Sequence, residues 1–152
     1  MRHLDVQLAA AGWRAEDVYA ILCDFERYPD HAVAVRTVRV KPAANGDVLS
    51  SWEVMFRTGV LRWTEEDHFD PVRHRIEFRQ TEGDIEHFAG EWTVDDDGSG
   101  NSLIRFSADF DLGIPTLAGI LEPIAERALR DNIRAIVCGL LGTSAQSAAP
   151  AD

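Results

Sequence analysis

Residues 51–69 read SWEVMFRTGVLRWTEEDHF, two alternating runs joined near Thr58-Gly59. Successive side chains of a strand point to opposite faces, so the pattern predicts two long strands folded back on each other. Trp52, Val54 and Phe56 share a face in the first arm, and Leu61, Trp63, Glu65, Asp67 and Phe69 share one in the second. A row carrying tryptophans and phenylalanines in both arms should face a core or a cavity, where an unpaired charge is costly. Glu65 and Asp67 are therefore the residues that most need an explanation.

The flanking sequence extends this hairpin into a sheet. Residues 3–10 alternate Leu4, Val6 and Leu8 against polar neighbours and predict a first strand. The period then becomes helical over residues 14–24, with Glu16 and Asp17 in the first turn, where the helix dipole favours acids. Residues 24–29 predict one further helical turn capped by Asp24 and stopped by Pro29. Strands are expected at 33–41, 74–80, 85–94 and 102–112, with Asn45-Gly46 supplying a tight hairpin turn after the first of these. From Pro115 to Leu141 the helical period returns, through Leu117, Ile120, Leu121, Ile124, Ala128, Ile136, Val137 and Leu140, with Pro123 as a kink or restart. Residues 143–152 are small, polar and Ala-rich and are expected to be a disordered tail behind a single domain spanning 1–142. The element order defines an α+β fold, a curved antiparallel sheet of seven strands wrapped around the long C-terminal helix, with two short helices after the first strand. Large side chains around one helix commonly leave a cavity, and a cavity is the default ligand site.

Composition narrows the function. At 152 residues, 45% hydrophobic and 27% charged, the chain fits one globular domain. No apolar run approaches the about 18 residues of a membrane span, and the N-terminus lacks a secretory signal, so a cytoplasmic protein without membrane insertion is expected. The net charge of −11 argues against a nucleic-acid partner, because a phosphate backbone rewards clustered Lys and Arg. Cys23 and Cys138 lie far apart without metal spacing and suit two small buried side chains. The histidines at 3, 31, 68, 74 and 87 show no HxxxH or HxH spacing, so no metal site is predicted. Asp95, Asp97, Ser99 and Asn101 faintly follow a calcium loop but lack the closing Glu, and a solvated turn is the simpler expectation.

Val18-Tyr19, the segment Cys23-Asp24-Phe25-Glu26-Arg27-Tyr28-Pro29 with the Val-rich strand after it, and Phe88-Ala89-Gly90-Glu91-Trp92 together resemble a known family. It is the helix-grip superfamily of START, polyketide cyclase and coenzyme Q-binding proteins, abbreviated SRPBCC. The resemblance covers roughly residues 4–141 and is similar, in length and aromatic content, to single-domain polyketide aromatase/cyclases. It implies a hydrophobic small molecule held between sheet and helix. That ligand would be a polyketide, released or presented by an acyl carrier protein, or alternatively a lipid or quinone that is only carried. No cofactor is implied, and the oligomeric state is left open. A full set of cyclase catalytic residues does not map onto this chain by motif.

Cyclising a polyketide requires a proton acceptor and donor in a dry site, and carboxyls with raised pKa serve as either. Glu65 and Asp67, about 7 Å apart along one strand face, fit that role. They are equally compatible with a bulge, or with pairing to arginines of the terminal helix. Asn132, beside that helix's apolar stripe, is a candidate donor to a carbonyl or enolate oxygen. Arg127, Arg130 and Arg134 read as a solvated face with i,i+4 pairing. Tyr28 and Tyr19 are candidate donors at the mouth, and Gln80 is a candidate ligand contact or a partner for nearby backbone. Trp52, Phe56, Trp63, Phe78, Phe88, Trp92 and Phe106 supply aromatic surface for a ligand, or core filling.

Overall fold

In the computed structural model, residues 1–56, 59–112, 118–142 and 145–147 are described. The first strand, β1 (Arg2–Ala10), is followed by α1 (Ala15–Cys23), a 3-10 turn over Phe25–Arg27 and α2 (Tyr28–His31). Then come β2 (Val35–Pro42), β3 (Val48–Phe56), β4 (Gly59–Asp70), β5 (Arg75–Gly83), β6 (His87–Asp96) and β7 (Ser102–Asp111). The helix α3 (Ala118–Leu141) and a short strand β8 (Ala145–Ser147) complete the chain. The sheet is antiparallel in the order β2-β3-β4-β5-β6-β7-β1-β8. Seven of the strands are long, as the alternation predicts, and α3 packs on the sheet through β1 and β3 and against α1 and α2.

Several local expectations need correction. Pro29 does not stop the helix after α1, because it stands in the first turn of α2, where a missing N–H costs nothing. Asp24 precedes the 3-10 turn but makes no side-chain cap there. The predicted α3 stripe holds at Ile136 and Val137, which are buried, and at Leu140, which packs on the core, but Ile124 is exposed and its neighbour Ala125 is buried instead. A shift of one residue turns a helix position by about 100°, enough to move Ile124 off the packed face. Of the predicted disordered tail, Ala145–Ser147 forms β8 by pairing with Leu8–Ala10 of β1, because that edge of β1 still offers unpaired backbone groups. The rest of the tail, Thr58 at the hairpin turn, and Pro115 and Leu117 at the predicted helix start lie outside the described residues. Cys23 and Cys138 form no disulfide and are partly rather than fully buried.

Glycines and turns fix the frame. Asn45 and Gly46 both take positive φ, 61° and 80°, and close the β2–β3 hairpin as the Asn-Gly signal requires. At Gly90 a Cβ would stand 2.1 Å from the Ser107 carbonyl oxygen, so only glycine lets β6 approach β7 this closely. Asp97 Oδ1 accepts the Ser99 and Asn101 backbone N–H groups at 2.7 and 3.3 Å, a turn held by its own backbone.

Candidate functional site

The β3–β4 register sets Ser50 opposite Glu65, Trp52 opposite Trp63, and Val48 opposite Asp67. Alternation along both strands then turns Ser50, Trp52, Trp63, Glu65 and Asp67 inward. Between β4 and β5 the register steps from Thr64–Glu82 to Glu65–Gln80, so the bulge lies in β5 and leaves β4 regular. Trp63 stands opposite Gly83, whose φ is 151° and where a Cβ would come within 2.5 Å of the Trp63 Cβ. Glycine at 83 is what lets the Trp63 backbone sit where it does.

Both carboxyls are buried, Glu65 at 5% and Asp67 at 0% relative exposure. Each is met by neutral donors. Trp63 Nε1 donates to Glu65 Oε1 at 2.7 Å, and Ser50 Oγ donates to Asp67 Oδ2 at 2.5 Å. Trp52 Nε1 in turn donates to Ser50 Oγ at 2.8 Å. The two indoles stack with ring centres 5.9 Å apart and planes 4° from parallel, so both N–H groups serve one polar cluster. Among the described residues no arginine, lysine or histidine pairs with either acid; Arg130 instead donates to the Asp5 carbonyl at 2.7 Å and approaches Glu126. Burial, and after it the neighbouring Asp67, pushes the Glu65 carboxyl well above the ordinary range. Burial raises Asp67 as well, opposed by the neighbouring Glu65 and by the hydrogen bond from Ser50. Both carboxyls are thus pushed toward the protonated form, Glu65 the more strongly.

Beside this cluster lies a cavity of about 70 Å³ between the sheet, α2 and α3. Its wall includes the predicted Tyr28, Trp52, Trp63, Glu65, Phe78, Phe88, Trp92, Phe106 and Asn132, together with Phe25 from the turn before α2 and Leu129, Ile133 and Ile136 from α3. Asp67 stands behind Glu65 rather than on the wall. Phe56 packs on the core without lining the cavity. Gln80 also stays off the wall, donating its amide to the Ile85 carbonyl, the backbone partner that was its simpler expectation. Tyr28 lines the cavity, yet its hydroxyl donates to the Leu22 carbonyl at 2.6 Å and is not offered to a ligand. Tyr19 bonds the Arg75 carbonyl at 2.9 Å and is likewise committed to structure. Asn132 donates one amide hydrogen to the Met55 carbonyl at 3.0 Å, tying α3 to the end of β3. Ser50 and Phe25 are the site residues whose sequence signal was weakest. The cross-strand register opposite Glu65 marks Ser50, and nothing in periodicity marks Phe25, which reaches the cavity from a turn.

A cavity of this size holds about two waters and is well below the roughly 300–1,000 Å³ of drug-sized ligand sites. A larger guest therefore enters only if the lining side chains move. What the wall offers chemically is stacking surface, one carboxyl of raised pKa, and one amide with a hydrogen to spare.

No curated protein matches the sequence. Solved structures do match the fold. A protein from Thermus thermophilus aligns with a TM-score of 0.84 at 20% identity, over 94% of this chain and 97% of its own. The Zhui aromatase/cyclase from Streptomyces sp. R1128 aligns with 0.79 at 22% identity, over 94% and 93%. Ginseng major latex-like protein 151, from Panax ginseng, aligns with 0.74 at 13% identity, over 93% and 95%. At such identities the likeness is one of fold, the helix-grip arrangement expected from the strand and helix order. No described helix is long and apolar enough to cross a membrane. The family described as polyketide cyclase/dehydrase and lipid transport matches residues 12–137, which hold every element from α1 to most of α3 as well as the whole cavity wall, and the chain belongs to that family.

Proposed function

We propose that this protein binds a hydrophobic carbonyl compound of the polyketide class in the sheet–helix cavity and promotes its cyclisation and dehydration by proton transfer, without a cofactor. The observation that carries this reading is the buried Glu65 carboxyl on the wall of an aromatic cavity, unpaired with any cation among the described residues and backed by a second buried acid. A neutral acid in a dry site is the group needed to protonate a departing hydroxyl. In dehydration of an aldol product, Glu65 gives its proton to the hydroxyl as the C–O bond breaks and water leaves. The α-carbon loses its proton to the now ionised Glu65–Asp67 pair, and the C–H electrons form the new double bond. The pair ends as it began. Asn132, with its second amide hydrogen, is suited to hold the substrate carbonyl oxygen. The aromatic wall confines the chain in a bent form, and the substrate arrives free or on an acyl carrier protein.

A Glu65→Gln variant should lose at least about 100-fold in kcat on a poly-β-ketone or its aldol, the usual scale of general acid catalysis. Ligand affinity, followed by quenching of the cavity tryptophans, should change little. Unchanged turnover in both Glu65→Gln and Asp67→Asn would remove the acid–base assignment.

A second reading is non-catalytic carriage of a lipid or quinone. Apart from Glu65 and Asn132 the side chains on the wall are apolar or aromatic, and the Tyr28 hydroxyl is already bound. Native mass spectrometry of the purified protein separates the two: a co-purified polyketide supports the first reading, and a lipid or quinone the second.

A further inference from the structure

The Ser50 hydroxyl is fully buried and has no contact with the cavity. An indole N–H can only donate, so the bond from Trp52 fills an acceptor position on Ser50 Oγ. The single hydroxyl hydrogen is then aimed along the 2.5 Å contact to Asp67 Oδ2. That oxygen must be bare to receive it. On the other acid, Glu65 Oε1 must also be bare, because it receives the Trp63 indole N–H. A proton on the pair is left to the remaining oxygens, Glu65 Oε2, on the carboxyl that lines the cavity, and Asp67 Oδ1, which is buried without a hydrogen-bond partner.

We propose that Ser50 is a positioning residue: by giving its hydrogen to Asp67 it holds Asp67 as the carboxylate and so keeps the proton on Glu65, the carboxyl that faces the cavity. The proposal rests on the reading of Glu65 as the acid only for its use in turnover; the proton distribution itself is a property of the ligand-free protein. Other ionisable groups acting on the pair are Tyr28 from α2, Asp47 just before β3 and Glu66 in β4, all acidic. Asp47 is itself paired with His68 at 2.8 Å, and α3 presents only neutral Asn132 to the cavity. None of these supplies a donor to Asp67 in place of Ser50.

The test is a carboxyl 13C NMR titration of the ligand-free protein, comparing wild type with Ser50→Ala and Ser50→Thr. In the wild type Glu65 should titrate at higher pH than Asp67. In Ser50→Ala the Asp67 carboxylate loses its donor, the proton moves onto Asp67, and the Glu65 midpoint should fall by roughly one pH unit, the size expected for one hydrogen bond to a charged group. Ser50→Thr keeps the hydroxyl and should restore the wild-type curve. If Ser50→Ala does not fold, Ser50→Cys, with a weak donor of similar size, should give a smaller shift in the same direction. A folded Ser50→Ala or Ser50→Cys protein with unaltered Glu65 and Asp67 curves would overturn the proposal. A shifted titration with turnover that ignores Glu65 would leave Ser50 in its role and discard the catalytic reading alone.

Discussion

On the outer face of the sheet Asp5 meets Arg105 at 2.6 Å, Glu91 meets Arg75 at 2.6 Å and Glu53 meets Arg62 at 2.8 Å, each with solvent beside it. On the inner face Glu65 and Asp67 meet two indoles and a serine, with no cation among the described residues. A charge on the outer face is cheap to keep, because water and a guanidinium both stabilise it. The inner pair has neither, and burial pushes both of its pKa values upward. The same residue types thus carry solvated ion pairs on one face of the sheet and carboxyls of raised pKa on the other. Asp5 and Asp67 differ in no intrinsic property; the direction in which the strand points them decides their chemistry.

That contrast can be broken most severely at Trp52. Trp52→Ala removes a ring packed on Phe25, Tyr28 and Trp63 and strips the donor from Ser50. The variant should lose about 3–5 kcal/mol in a denaturant titration, the usual cost of a large buried aromatic. Gly83→Ala should cost less, about 1–3 kcal/mol, since it places a methyl against Trp63 in a backbone conformation that favours glycine. Its signature would be a changed tryptophan emission, because the clash falls on the Cβ and Cα of Trp63 and displaces a residue of the cluster. A Gly83→Ala protein as stable as wild type would show that β4 and β5 can separate there without loss.

The smallest effect is expected on the outer face. The hydrogen bond from Arg105 lowers the Asp5 pKa below its model-compound value of 3.8. A depressed pKa gives stability that is present above 3.8 and disappears as pH falls through the folded value. Asp5→Asn should therefore cost about 0–1 kcal/mol near neutral pH, less in high salt, and nothing in strong acid. The inner pair must have the opposite slope: its raised pKa makes the folded state bind more protons than the unfolded chain, so its contribution is greatest in acid and declines as pH rises. Thermal melts of Asp5→Asn and Glu65→Gln across about pH 4–9 check both signs, and parallel profiles for the two would erase the distinction between the faces.

Much of this was legible in the chain alone. The alternation that set Glu65 and Asp67 in an aromatic row reappears as the burial pattern of β4, and the Asn-Gly turn closes where it was expected. Local rules gave less at helix boundaries. Pro29 reads as a stop signal in isolation, yet it opens α2, and the difference depends on which turn of a helix the proline occupies. Ile124 has the composition of a core position and stands in solvent, because the phase of α3 against the sheet is set by packing along its whole length. Gln80 shares the inward face but is captured by the Ile85 carbonyl, a partner supplied by the β5–β6 connection.

What the sequence by itself determined is the alternation: a period of two, a tight turn, and two acids among tryptophans leave one face on which those acids can lie. Which donors reach them was decided only by the tertiary structure. The β3–β4 register brings Ser50 across from Glu65, the absence of a Cβ at Gly83 lets Trp63 approach β5, and α3 and α2 close the cavity over the row. Those contacts join residues far apart in the chain, and the desolvation that raises the Glu65 pKa belongs to the enclosure they make together.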